Sequence, residues 1–168
     1  MEREMQNSQQ VHLSQATGTG PNADAPRMLT LQEIFDKAVG GVIAQGGGSY
    51  CVVAGKSTRC MYRGPEGRKC AVGQVMPDTV YREHMDENGG VAARAAVAQR
   101  TAEWLAAGID VDKPKVRELL IALQGSGHDN AAQQDAQAPG CFMQVFKIKA
   151  LEVGSQFDLD SIAKVESA

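Results

Sequence analysis

The sequence predicts an α+β domain in which a small antiparallel hairpin or sheet, at about residues 50–75, is packed by about four helices. Three observations predict it. An apolar repeat of helical period runs from Leu31 to Ile43, and a strand-turn-strand pattern follows it around Gly64-Pro65-Glu66-Gly67. The chain has 168 residues, 43% of them hydrophobic, which suffices for one core without a metal or disulfide staple. Four Phe, one Trp and three Tyr set against 18 Gly and 6 Pro make that core mainly aliphatic and alanine-based.

The elements follow in order. Residues 1–27 carry only Met5, Val11 and Leu13 among polar and small residues, so ordering them would bury too little to offset backbone entropy. They read as a disordered tail, leaving 28–168 as a single domain. Thr30 and Glu33 form a T-x-x-E capping box, with Leu29 and Ile34 as the hydrophobic staple. Leu31, Ile34, Phe35, Ala38, Val39, Val42 and Ile43 then share one stripe, and Gly46–Gly48 stop the helix. Strands are expected over Tyr50–Ala54 and Arg59–Arg63, and a third extended run over Arg68–Gly73. Between the last two, Pro65 presets φ and Gly67 accepts a positive φ, the chemistry of a type I turn with a glycine bulge. Helices are expected over Val91–Ala107, from Asp112 to a stop at Gly125, and over Cys141–Val153. The composition of 125–140 predicts a flexible loop.

The formal charge of -3, from 17 Lys+Arg and 20 Asp+Glu, excludes a generic polyanion binder. No apolar run approaches the roughly 20 residues that cross a bilayer, and Met1–Gln10 has no apolar signal core. The expectation is a cytoplasmic protein with no membrane partner, no cofactor, and reduced thiols at Cys51, Cys60, Cys70 and Cys141.

Locally the charge is uneven. Lys56, Arg59, Arg63, Arg68 and Lys69 against Glu66 give the hairpin +4, and Arg82 against Asp78, Glu83, Asp86 and Glu87 gives the next stretch -3. With the expected bulge, Arg63 lies opposite Lys69, an unfavourable pair unless an anion sits between them. Lys56, Arg59, Tyr62, Arg63, Arg68 and Lys69 are therefore the candidate ligand-binding residues. The partner would be a nucleotide, a nucleic acid or an acidic host protein, with Tyr50 and Tyr62 offering rings for a base. The competing reading is a solvated face balanced by the acidic stretch.

Other chemistry is weaker. Gly55-Lys56-Ser57 ends like a phosphate loop, but Tyr50 stands where the first glycine is required and no helix follows. Zinc at Cys51, Cys60, Cys70 and His84 lacks the short ligand spacing of a knuckle. Cys70, at the head of a possible helical turn, together with His128 and Asp129 forms the candidate set for a cysteine-dependent hydrolase. A third alternative is a homo-oligomeric module, with the first helix's stripe and Trp104-Leu105 packed between subunits.

Leu31–Lys37, the run Cys60–Gly73 with its C-x-YRGP-x-G-x-KCA-x-G pattern, Pro77-Asp78, Tyr81, Leu120–Gln124 and His128-Asp129 together resemble a family of small proteins encoded by bacteriophages and prophages. The resemblance spans about 28–130. It implies a small, non-catalytic accessory protein of the host-cell cytoplasm that binds a host macromolecule, the phage genome machinery or a signalling nucleotide used in host defence.

Overall fold

The computed structural model describes residues 26–53, 57–86 and 101–160. The expected tail through residue 25, most of the helix expected at 91–107, and Lys56 lie outside them. Helix α1 (Leu31–Ala44) forms for the reason its sequence gives. The Thr30 hydroxyl accepts the Glu33 N–H at 3.2 Å, and Glu33 accepts the Thr30 N–H at 2.8 Å. Its stripe buries Ile34, Phe35, Ala38, Val39 and Val42. Gly46, at φ +70, then turns the chain into strand β1 (Tyr50–Val53).

β1 pairs antiparallel with β2 (Ser57–Cys60), in the register Tyr50 to Cys60 and Cys51 to Arg59. The fold is α+β, with this two-stranded sheet set among helices. The second strand ends before Arg63, and no strand forms over Arg68–Gly73. Gly64-Pro65-Glu66-Gly67 closes a tight turn, with Gly64 N–H on Arg68 O and Arg68 N–H on Pro65 O. Gly67 takes the expected positive φ, and Glu66 takes one too. Beyond it, Lys69 exchanges backbone hydrogen bonds with the Gln45 side-chain amide rather than with a strand. Cys70 then caps helix α2 (Ala71–Val75), its sulfur accepting the Gly73 N–H at 3.3 Å. Arg63 therefore does not face Lys69 across a ladder, which removes the predicted like-charge pair.

A short helix α3 (Thr101–Ala106) carries Trp104 into the core. Helix α4 (Pro114–Ala122) starts on a proline with Lys113 as its cap, not Asp112, which ion-pairs with Arg117. Gly125 does not stop it. The backbone continues through a π-helical turn (Leu123–Asp129) into α5 (Asn130–Gln137), where a flexible loop was expected from composition. Burial overrides the weak local propensity: Leu123, Gln124, Gly127, His128, Ala131 and Ala132 all face inward. Helix α6 (Phe142–Gln156) closes the chain over the core with Phe142, Phe146, Ala150 and Val153.

One buried cluster joins these faces, from Ile34 in α1 to Val153 in α6. It absorbs the α1 stripe and Trp104, which with Leu105 were expected to pack between subunits; Leu105 remains exposed. Cys60, Tyr62, Cys70 and Val72 are all buried in the same cluster.

Gly73 is where α2 meets the chain after β2: a Cβ there would lie 2.4 Å from the Tyr62 carbonyl oxygen. Because backbone must shift to admit it, Gly73→Ala is expected to cost about 1–3 kcal/mol in denaturant unfolding. Gly125→Ala, with nothing within 4 Å of the new Cβ, serves as the control that leaves packing intact.

Candidate functional site

The π-helical turn decides which side chains meet. Its i to i+5 hydrogen bonding widens the turn, so that Gln124, His128 and Asp129 converge although 128 and 129 are adjacent in sequence. The Gln124 amide nitrogen donates to Cys60 Sγ at 2.8 Å and to Asp129 Oδ1 at 2.5 Å, and its oxygen accepts the Val72 N–H at 3.2 Å. The amide thus ties β2, α2 and the π turn together.

His128 is wholly buried, and its Nε2 accepts the Ser49 backbone N–H at 3.0 Å. A neutral imidazole that accepts at Nε2 carries its proton on Nδ1, and Nδ1 lies 3.4 Å from Asp129 Oδ1. The lone pair that a general base would use is therefore already engaged by a backbone donor.

The structure brings Cys60, rather than Cys70, into the group with His128 and Asp129. Ligand atoms of these three lie within 4.8 Å of one another. Cys70 meets the group through Cys60: hydrogen bonding with Cys70, followed by burial, pushes the Cys60 thiol well above its ordinary value. Cys60 is thus held as a thiol and not as a nucleophilic thiolate. Among the described residues, neither Cys51 nor His84 joins this cluster, so the four-residue zinc set considered from sequence does not assemble.

Beside the cluster is an open cleft of about 390 Å³, lined by Gly46, Gly47, Gly48, Tyr50, Arg68 and Asp135 among others. Ser49 connects the two. Its N–H is held by His128, while its hydroxyl lies 2.7 Å from Met61 O and 3.1 Å from Arg68 O. The Arg68 guanidinium lies against the bare backbone of Gly47, where a Cβ would fall 3.0 Å from Nη1. Tyr50 and Phe142 stack at 5.8 Å, and Phe142 meets the His128 ring edge-on at 5.3 Å, so aromatic rings separate cleft from cluster.

Asp135 fixes the far wall. It accepts the Tyr50 hydroxyl and the N–H groups of Gly140 and Phe142. Burial works to raise its carboxyl, but the Tyr50 hydroxyl and the backbone donors of Phe142, Gly140 and Cys141 outweigh it and hold the group below its ordinary value. Burial, then Asp135, raises the Tyr50 phenol.

The remaining predicted binding residues divide. Arg59 is exposed on β2. Tyr62 is only 2% exposed, so its ring offers no face to an external base. Arg63 is structural: its side chain, 18% exposed, bonds Gly73 O, Met76 O and Asp78 and lies over the Tyr81 ring. Here the acidic stretch does balance a hairpin charge. Lys69 is half-buried and anchored through its backbone. Among the described members of this set, only Arg68 lines the cleft, paired with Glu66 at 3.1 Å. Ser49, Gln124 and Asp135 went unremarked as site residues, although Gln124 stands in the L-x-x-LQ stretch of the resemblance.

No family model, curated protein or solved structure matches the chain.

Two outcomes follow. Replacing His128 by Leu leaves the buried Ser49 N–H without an acceptor and should cost about 1–3 kcal/mol in chemical denaturation. The carboxyls of Glu33, held at about 2 chiefly by Arg27, and of Asp78 and Asp135 are all depressed in the fold. Their contribution is present above the unfolded carboxylate value and is lost as pH falls through the folded values. Melting temperature should therefore drop as pH falls below about 4, and Asp135→Asn should flatten that drop.

Proposed function

We propose that this protein is a non-catalytic binder of a phosphate-bearing nucleotide, with Arg68 in the glycine-walled cleft as the anion contact. The observation that carries the proposal is the Arg68 guanidinium, its side chain 43% exposed, laid on Gly47 at the mouth of that cleft. A guanidinium presents forked donors to phosphate oxygens, and bare glycine backbone lets a ligand approach closely. The Tyr50 and Phe142 rings at the cleft supply an apolar wall against which a base can lie. Asp135 lies in the same cleft, but its oxygens are committed to the Tyr50 hydroxyl and two backbone N–H groups.

The non-catalytic part rests on His128. With Nε2 engaged by Ser49, the hydrolase alternative built on Cys70 and His128 lacks a free base, and the cysteine grouped with His128 and Asp129 is Cys60 rather than Cys70. On the resemblance to phage-encoded proteins, such a binder would be an accessory factor of host takeover or counter-defence acting in the host cytoplasm.

Equilibrium binding of a labelled nucleotide panel, at low and high salt, tests the reading. Binding should weaken with salt and fall at least about tenfold in Arg68→Ala, the loss of one charge-assisted contact of about 1.5–3 kcal/mol. Arg59→Ala, on the exposed strand face, should change it far less. Absence of nucleotide binding, or equal losses in both variants, contradicts the proposal. Binding only to long nucleic acid would reassign the partner.

A further inference from the structure

Arg68 does not stand free at the cleft. We propose that Glu66 is a built-in competitor for this arginine: its carboxylate occupies the guanidinium in the unliganded protein, and a phosphate must displace it to bind. The inference rests on the nucleotide reading above and concerns how that same site is regulated.

The turn after β2 brings the pair together. Gly64 N–H bonds Arg68 O and Arg68 N–H bonds Pro65 O, so the chain closes on itself. Inside this turn both Glu66, at φ 59, and Gly67, at φ 74, take left-handed backbone conformations. Glycine adopts that region without steric cost, whereas a glutamate does not. Such outliers gather at ligand clamps and switches. Glu66 Oε2 lies 3.1 Å from Arg68 Nη2, while Arg68 Nη1 is the atom that a Cβ on Gly47 would meet first, at 3.0 Å. One arm of the guanidinium fork therefore faces the glutamate, and the other faces the glycine wall of the cleft.

The backbone on either side of Arg68 is held in place. The Gln45 amide nitrogen donates to Gly47 O and to Lys69 O, each at 2.7 Å, and its oxygen accepts the Lys69 N–H at 2.9 Å and the Gln74 amide at 2.8 Å. These four bonds use the whole hydrogen-bonding capacity of a glutamine amide. Gln45 thus fixes both Gly47, on which the guanidinium lies, and Lys69, which follows it in the chain. What is left to exchange partners is the Arg68 side chain, 43% exposed, and the Glu66 side chain, 75% exposed. A forked phosphate contact needs both arms of the guanidinium, and the arm on Glu66 is released only when the carboxylate swings into solvent. Exposed ion pairs are weak, as a displaceable competitor must be: a ligand that also gains the Tyr50 and Phe142 wall outbids it. Asp135, the other carboxylate in the cleft, does not play this part, because its oxygens already accept the Tyr50 hydroxyl and the N–H groups of Gly140 and Phe142.

Fluorescence titration of the full chain with methylanthraniloyl-labelled ADP and GDP tests the inference, using the unmutated protein, Glu66→Gln, Arg68→Ala and the double variant. Glu66→Gln removes the charge and keeps the shape, and it should tighten binding about two- to fivefold, the equivalent of one exposed ion pair. The gain should vanish in the Arg68→Ala background, where there is no guanidinium to release. Glu118→Gln, at an exposed acid on α4 away from this cleft, should leave affinity unchanged. Without ligand, nitrogen-15 NMR should show the Arg68 guanidinium N–H groups exchanging faster in Glu66→Gln. Equal affinity in the unmutated chain and Glu66→Gln, a gain that survives Arg68→Ala or is matched by Glu118→Gln, or guanidinium exchange indifferent to Glu66 overturns this inference and leaves the nucleotide reading standing. No binding by any form overturns both.

Discussion

The hydrogen bond from the Ser49 N–H to His128 Nε2 joins parts of the chain 79 residues apart, and much of the site depends on it. Ser49 sits where the chain leaves the glycines after α1 and enters β1. Its hydroxyl is in hydrogen-bond reach of the carbonyls of Met61 and Arg68, so one residue is bonded at once to the π turn, to the chain after β2 and to the backbone beneath the cleft arginine. Space is tight enough that Gly64 has no room for a side chain; a Cβ there would fall 2.3 Å from the Ser49 hydroxyl. A buried donor and acceptor matched in this way contribute modestly when made and cost more when one is removed. The bond therefore specifies one arrangement more than it adds to stability.

That constraint also limits the chemistry. A histidine next to an aspartate and a cysteine invites a catalytic reading, yet the proton inventory of the imidazole opposes it. With Nε2 accepting, Nδ1 must donate, and the Asp129 carboxylate lies beside it. The same inventory removes His128 as a direct metal ligand at Nδ1 and makes it a donor to a carboxylate. The stacked rings of Tyr50 and Phe142 separate this buried cluster from the cleft.

Local chemistry made α1 and the positive φ at Gly67 legible in the sequence, because both depend on spacing within a few residues. What was not legible required distant partners. Lys69 looked like a strand residue until Gln45, 24 residues away, took its backbone bonds. Arg63 looked like an anion ligand, but the carbonyls of Gly73 and Met76 and the carboxylate of Asp78 claim its guanidinium. The Gly- and Gln-rich stretch after Leu123 has poor helix propensity and reads as a loop; only the burial of Gln124 and His128 against β2 and α2 explains its helical course. The resemblance motif did contain both halves of the cluster, but no spacing rule brings Cys60 rather than Cys70 to His128.

The central claim is the protonation geometry of His128, and nitrogen-15 NMR of the imidazole tests it most directly. The account predicts a neutral ring with the proton on Nδ1, an Nε2 shift typical of an acceptor nitrogen, and a hydrogen-bond coupling from Nε2 to the Ser49 amide. A ring protonated at Nε2, with no coupling to Ser49, would contradict it.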